Sequence, residues 1–435
     1  MSTTTTSSAE HQTRKASPAR SSRRFPGPKT RLAIAMGLVL TGLFRVLWRV
    51  ESLPFPLSDR AFGNMMSFLF GALAVLLAWQ WFAFHSDYSK AARRTVMFGG
   101  IGALALFFAI FKLDGFRGDM VVERFRLRWL PAADRQLDEI ISLDDGKPID
   151  LTTTTPADFP EFLGPGRRCW IEDPGLATDW TAQPPKLLWK HEIGAGWSAF
   201  AAVNGYAVTM EQRGDQEWVS CYEIATGKPI WGRAIEARHA HPLGGVGPRS
   251  TPTIAGGHVY ALGGTGRLQC LDGSNGKLIW EQDLLQLYGV TQAESEAEVL
   301  WGRAASPLVV DGLVIVPAGG KTDPANKRKP TSLVAFRAED GTKVWEAGAD
   351  QISYSSPVLA TLAGQRQVVI VNEMTVTGHD VETGRQLWGH KWPGSSSSSA
   401  SVSQAVPLAG DMLLLTKGYG GGAELLKLVA GGSGS

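Results

Sequence analysis

The chain is 435 residues long and 19% charged, with a formal net charge of +2, 50 glycines and three cysteines. That length exceeds what a single ordinary core organises, and the near-neutral balance excludes a basic field for nucleic acid. Cys169, Cys221 and Cys270 are too few and too scattered for a disulfide framework or a zinc site, while so much glycine suits tight turns better than a helical enzyme.

Positive charge is concentrated at the start. Residues 1–31 hold seven Lys or Arg against one acid, Glu10, which predicts a disordered tail. Three apolar stretches follow: LAIAMGLVLTGLF from Leu32, 24 uncharged residues over 61–84, and 17 over 95–111. A bilayer core takes about 20 apolar residues, so 32–111 is expected to be a membrane domain of about three transmembrane helices. Arg45 and Arg49 can snorkel to the interface at the end of the first span. No small-residue cleavage site follows that span, which argues against a cleaved signal peptide. With three spans, the tail and the loop carrying Lys90, Arg93 and Arg94 share one side, and the charge-balanced loop of 49–60 lies on the other. The positive-inside rule then puts everything after residue 112 outside the cytoplasm, in the periplasm of a bacterial inner membrane.

Residues 112–185 read as a connector. Within it, 121–129 (VVERFRLRW) alternates like a short strand, 132–141 suits an amphipathic helix and 151–156 (LTTTTP) reads as a linker. None of it carries recognisable chemistry.

From residue 186 to 429 the chain repeats itself. YEIATGKPIW (222–231), LDGSNGKLIW (271–280), FRAEDGTKVW (336–345) and HDVETGRQLW (379–388) align with Gly227, Gly276, Gly341 and Gly384 each four residues before Trp231, Trp280, Trp345 and Trp388. A polar residue followed by glycine makes a hairpin turn that needs a positive φ, and the next strand presents the Trp on one face. Trp189, in KLLWKHEIG, reads as the same last strand of another unit. Upstream of three of the turns lie STPTIAGGHVYALGG, ASPLVVDGLVIVPAGG and SSPVLATLAGQRQVVIVN, each a small residue, a proline and two apolar strands. Such strands at this period build four-stranded antiparallel blades, so the fold class is an all-β propeller behind a helical membrane domain. A polar insertion at 321–330 belongs in a surface loop. The tryptophans and turn glycines are read as structural, blade-docking positions. Cys221 and Cys270, each six residues before a turn glycine, are read as small core residues.

The repeat resembles the pyrroloquinoline quinone (PQQ) repeat, in which A-x-D-x-x-T-G-x-x-x-W ends each blade. Asp380, Thr383, Gly384 and Trp388 match it best; Asp272, Gly276 and Trp280 match next, Glu223, Thr226, Gly227 and Trp231 follow, and Arg337 replaces the acid in the third copy. The resemblance implies a fold shared by quinoprotein dehydrogenases and by non-catalytic propellers such as the lipoprotein of the outer-membrane protein assembly machinery. Quinoprotein alcohol dehydrogenases carry a vicinal cysteine pair, a calcium held by acidic and amide side chains, and an aspartate base. No Cys-Cys pair occurs here and no such set can be placed, so no catalytic residue is carried over. PQQ with calcium is the cofactor that an enzyme of this family would imply. Membrane-bound quinoprotein glucose dehydrogenases also precede the propeller with spans and manage without the cysteine pair.

A ligand is expected where the loops leading into each blade converge, at 236–252, 301–307, 352–357 and 393–407. Arg238, His239, His241, Arg249 and Arg303 are candidates for a cationic rim suited to an anionic small molecule, Trp301 and Tyr354 for stacking, and Gln404 for an amide contact. The competing reading is that these are ordinary loop residues, with Arg249 and Arg303 bonding neighbouring carbonyls. His239 and His241 share a face but lack a third ligand, so no metal site is assigned. The serine run of 395–399 lacks the context of a nucleophile and reads as loop. Seven or eight blades are usual in this family, and the last unit stops at a Gly/Ser tail, 430–435, so the ring is expected to be incomplete or closed through the Trp189 strand. The expected function is a membrane-anchored, periplasm-facing binding or assembly module, with periplasmic or outer-membrane proteins as possible partners. The alternative is a PQQ-dependent dehydrogenase passing electrons to membrane quinone.

Overall fold

The computed structural model describes residues 25–50, 53, 56–137, 140, 148–171, 175–242, 244–320, 330–395, 400–418 and 420–430. Most of the basic tail, the insertion up to residue 329, the serines at 396–399 and the tail from 431 lie outside them. The chain divides into two compact units, one running to Lys112 with Asp119–Val121, the other comprising Leu113–Gly118 and everything from Val122 on.

The first unit contains helices α1 (Pro28–Leu47), α2 (Arg60–His85) and α3 (Lys90–Ile110), all long and apolar enough to cross a membrane. Pro28 opens α1, where a missing N–H does no harm. Asp59 and Ser89 cap α2 and α3 by accepting from the N–H groups of Phe62 and Ala92. Small residues let α1 and α2 approach: a Cβ on Gly37 would lie 3.0 Å from that of Ala74. Arg45 does not merely reach for the interface, because its Nη1 donates to Asn64 Oδ1 at 3.0 Å, and Ser67 Oγ donates to the Thr41 carbonyl at 3.0 Å.

Among the described residues the second unit carries five sheets of three or four strands in chain order, each an antiparallel meander. Blade one is Ala201–Val203, Tyr206–Arg213, Gln216–Glu223 and Pro229–Glu236; blade two is Thr253–Ala255, His258–Leu262, Arg267–Asp272 and Leu278–Asp283. Blade three is Leu308–Val310, Leu313–Gly319, Thr331–Arg337 and Lys343–Ala347; blade four is Val358–Leu362, Gln365–Val371, Thr375–Asp380 and Gln386–Lys391. Blade five has three described strands, Val406–Leu408, Met412–Lys417 and Gly422–Lys427. Two short helices, α4 (Leu284–Tyr288) and α5 (Gln292–Glu298), join blades two and three. The core lies between successive sheets: Tyr260, Leu262, Leu268 and Trp280 meet Val314, Val316, Val334 and Phe336. Middle strands are therefore buried on both faces and read as continuous apolar runs rather than alternating ones.

The Gly and Trp of one repeat serve different neighbours. A Cβ on Gly276 would lie 2.6 Å from the Trp231 ring, one on Gly341 2.7 Å from Trp280, and one on Gly384 2.6 Å from Trp345. Each Trp thus covers the turn glycine of the next blade, and its indole N–H donates to a carbonyl there: Trp231 to Gly273 at 3.0 Å, Trp280 to Ala338 at 2.8 Å and Trp345 to Val381 at 3.1 Å. Trp189 does the same ahead of blade one, over Gly227 and to the Ile224 carbonyl at 2.8 Å. Trp388 differs: its N–H donates to Gln367 of its own blade. Opposite each of the four in-strand tryptophans, where the ladder bulges, stands a small residue: Cys221, Cys270, Ala335 and Gly378. Burial pushes the Cys270 thiol up to about 12, so both cysteines act as small wall residues.

Connector expectations change in detail. Within 132–141, where 138, 139 and 141 lie outside the described residues, Ala133–Arg135 forms a 3-10 turn, and Asp134 turns inward to meet Arg238 at 2.7 Å. The strand in 121–129 is confined to Phe125–Leu127. Leu151, read as linker, is 2% exposed and packs into the core of blades one and two. Phe159 pairs with Ala202 of blade one, and the Pro160 carbonyl accepts from Ile254 of blade two at 2.8 Å.

Candidate functional site

The loops ahead of blades two, three and four converge on a cavity of about 650 Å³ lined by Phe116, Arg117, Phe162, Trp197, Arg249, Trp301, Tyr354 and Val402. Arg249 Nη2 donates to the Gly244 carbonyl, and its guanidinium lies 5.9 Å from the centre of the Trp197 ring. Burial lowers the Arg249 pKa, yet a guanidinium stays charged at any physiological pH. The Trp301 and Tyr354 rings are tilted against each other, with centroids 5.0 Å apart and planes at 33°, and the Trp301 backbone N–H donates to Tyr354 Oη at 3.4 Å. Burial pushes the Tyr354 phenol up to about 12, so it is a neutral donor here. A charged fork beside three flat rings can hold a planar anion, stacked and ion-paired together.

The other residues singled out in the sequence do not line this cavity. Arg238 is taken by Asp134 and the Gly214 carbonyl. Arg303 is buried and donates to the Ala318 carbonyl at 2.6 Å; burial pulls its pKa down to about 10. His239 is 1% exposed, 3.5 Å from the Glu296 carboxylate, and burial lowers its pKa towards a neutral ring. His241 pairs with Gly245 in a two-residue ladder. Gln404 Nε2 donates to the Arg167 carbonyl at 3.3 Å. Glu217 of blade one is fully buried, accepts from the Gly264 N–H at 2.9 Å, and is pushed by burial up to about 7.

Sequence reasoning missed Trp197, Phe162 and above all Arg167. Its guanidinium is buried: Nη1 donates to the carbonyls of Ser306 at 3.2 Å and Pro357 at 2.8 Å, Nη2 to that of Pro307, and Nε to Glu161 at 3.0 Å. One connector residue thereby ties the loops ahead of blades three and four, and Phe162 of the same segment lines the cavity. The signal was present as Gly164-Pro165-Gly166-Arg167, whose glycines take φ of 74° and 65° while Arg167 itself sits at 55°.

PQQ with calcium can be tested against this geometry. The rings and Arg249 suit a flat carboxylated ligand. Glu123 is the one acid among the lining residues, Cys221 and Cys270 stand in separate blades, and among the described residues no group of three or more His, Cys, Asp or Glu is arranged to hold a metal. The described residues supply the stacking half of such a site and do not fit the calcium-ligating half.

The family model described as outer membrane protein assembly factor BamB matches residues 180–286 and 215–427. No curated protein matches the chain in sequence. Among solved structures it is similar to the quinohemoprotein alcohol dehydrogenase of Comamonas testosteroni, at 16% identity over 61% of this chain and 47% of that one, with a TM-score of 0.42. A europium-containing methanol dehydrogenase gives 12% identity over 56% and 54%, TM-score 0.41. BamB of Moraxella catarrhalis gives 17% over 54% and 76%, TM-score 0.31. The chain spans about half the length of the two dehydrogenases. Matched over more than half its length and built of successive Gly–Trp blades behind helices apolar enough to span a membrane, the chain belongs to the PQQ-like propeller family whose model is described as outer membrane protein assembly factor BamB.

Proposed function

We propose that the protein is a binding or assembly module anchored in a bacterial inner membrane by three spans, with its propeller in the periplasm. Its ligand is a flat anionic group, free or carried on a partner protein, held in the aromatic cavity by Arg249. The observation that carries this reading is the arrangement of Arg249, Trp197, Trp301 and Tyr354 around about 650 Å³ of space. Among the described lining residues no Ser, Cys or Lys stands with an adjacent base to activate it. The topology rests on the basic residues before α1 and at the start of α3, against the charge-balanced loop between α1 and α2.

A second reading, dehydrogenation with PQQ, draws on the same stacking rings. One experiment separates the two. The full chain in nanodiscs is titrated calorimetrically with PQQ, with and without calcium, and assayed for dye reduction with alcohols and sugars. Saturable, calcium-independent binding without turnover, weakened about 10- to 100-fold in Arg249→Ala as expected for the loss of a charged hydrogen bond, supports the binding module. Calcium-dependent binding with turnover replaces it by the dehydrogenase. Binding that Arg249→Ala leaves unchanged removes the cavity from either reading.

A further inference from the structure

The segment after the last membrane-competent helix alternates Arg124, Arg126 and Arg128 with Phe125, Leu127 and Trp129. Only Phe125–Leu127 of this segment is extended; a turn closed by the Leu130 N–H on the Leu127 carbonyl at 3.1 Å carries Arg128, Trp129 and Leu130. Three of the segment's large apolar side chains are not taken into the core: Phe125 is 45%, Trp129 66% and Leu130 48% exposed. Exposed large apolar side chains gathered on one short segment call for something to cover them.

The course of the chain restricts what that can be. The Asp114 N–H donates to the Arg124 carbonyl at 3.0 Å, the Glu123 N–H to that of Gly115 at 3.1 Å, and Phe116 bridges Val122. The aromatic segment is therefore the return arm of a hairpin whose outgoing arm begins just past Ile110, the last residue of α3. On the proposed reading that α3 crosses the membrane, four extended residues past its end reach only about 14 Å, which keeps the hairpin near the bilayer surface. Its charge suits that surface. Asp114 is shared between Arg124 at 2.9 Å and Arg126 at 3.4 Å, while Arg124 and Arg128 are exposed. A stable protein interface engages about 20–30 residues a side, far more than this hairpin presents.

We propose that the hairpin is a bilayer-surface anchor, in which Phe125, Trp129 and Leu130 enter the boundary between headgroups and hydrocarbon and the arginines hold the phosphates of anionic phospholipids. Trp at this depth and Arg beside it are the side chains that such a boundary favours.

The test uses the full chain in nanodiscs of phosphatidylcholine, alone or mixed with phosphatidylglycerol, with photoreactive benzoylphenylalanine replacing Trp129 or, as a control, the exposed Val344 of blade three. Illumination should give phospholipid adducts at position 129 and none at 344. The adduct yield at 129 should rise several-fold with phosphatidylglycerol, and Arg124→Gln with Arg128→Gln should abolish that rise while leaving the adducts in phosphatidylcholine. Adducts to protein in place of lipid, or equal lipid yields at 129 and 344, would overturn the anchor. A yield indifferent to phosphatidylglycerol would overturn the headgroup contact. An unchanged melting temperature keeps each variant interpretable.

Discussion

Replacing Arg167 by alanine should be among the most damaging single changes in the second unit. The side chain is 1% exposed and donates to three main-chain carbonyls, those of Ser306, Pro307 and Pro357, and to the Glu161 carboxylate. Truncation strands all four acceptors, and the loss of one partner from a buried charged pair costs about 3–5 kcal/mol. The residue also sits at a φ of 55°, which costs a non-glycine about 1–2 kcal/mol, so some of its worth is already offset in the native protein. With an unfolding entropy near 2.1 cal/mol/K per residue over a cooperative unit of roughly 300 residues, each kcal/mol moves the melting temperature by about 1.6 °C. Arg167→Ala should therefore melt about 5–8 °C lower by scanning calorimetry of the full chain in nanodiscs. Arg167→Lys keeps the charge but cannot reach carbonyls in two loops at once, and should fall between. A variant melting within about 1 °C of the parent would refute the reasoning, since it would mean that the carbonyls find water or one another for less than ~1 kcal/mol.

Gly276→Ala should destabilise by about 2–4 kcal/mol, because a Cβ would stand 2.6 Å from the Trp231 ring on a residue whose φ is 73°; Gly364→Ala, at a similar φ of 74° with open space around it, should cost only the backbone part, about 1–2 kcal/mol. Urea titration followed by tryptophan fluorescence separates them, and equal losses would refute the ring contact. Glu217, whose pKa burial raises to about 7, binds its proton more tightly folded than unfolded. Its contribution is complete below about pH 4.5 and disappears as pH rises through 7, a loss of about 3 kcal/mol at 1.36 kcal/mol per pK unit. Glu217→Gln should flatten that part of the stability profile between pH 4.5 and 7.5, and a profile of unchanged slope would show that the group is not the source.

Much of the fold was legible before any coordinates, and the reason is local. Turn glycines at 227, 276, 341 and 384 must take φ of 71–73°, and apolar runs of strand length flank them, so hairpins and blades follow from short-range backbone preferences. What the Gly–Trp spacing does not reveal is that the two residues face different neighbours. Trp231 meets Gly276, not Gly227, because stacking sheets places the outer strand of one over the turn of the next. The cysteines were read from position as small core residues, and their register opposite Trp231 and Trp280 supplies the cause.

The site was legible only in its chemistry. Arg249, Trp301 and Tyr354 come together as stacking and cationic partners, whereas Arg238 and Arg303, the same residue type in the same loops, end on Asp134 and on the Ala318 carbonyl. Nothing in the local sequence distinguishes them, since tertiary packing sets the partners: Asp134 lies 104 residues before Arg238, and the Ala318 carbonyl reaches Arg303 from a blade strand 15 residues on. Arg167 makes the point most sharply: its acceptors lie 139, 140 and 190 residues downstream. Periodicity, turn chemistry and apolar length act within a few residues and determined the three long apolar helices, the blades and their order. Which arginine is buried, which faces the cavity and what the connector holds were decided by where distant loops meet, because a buried charge settles wherever tertiary packing leaves carbonyls and carboxylates unsatisfied.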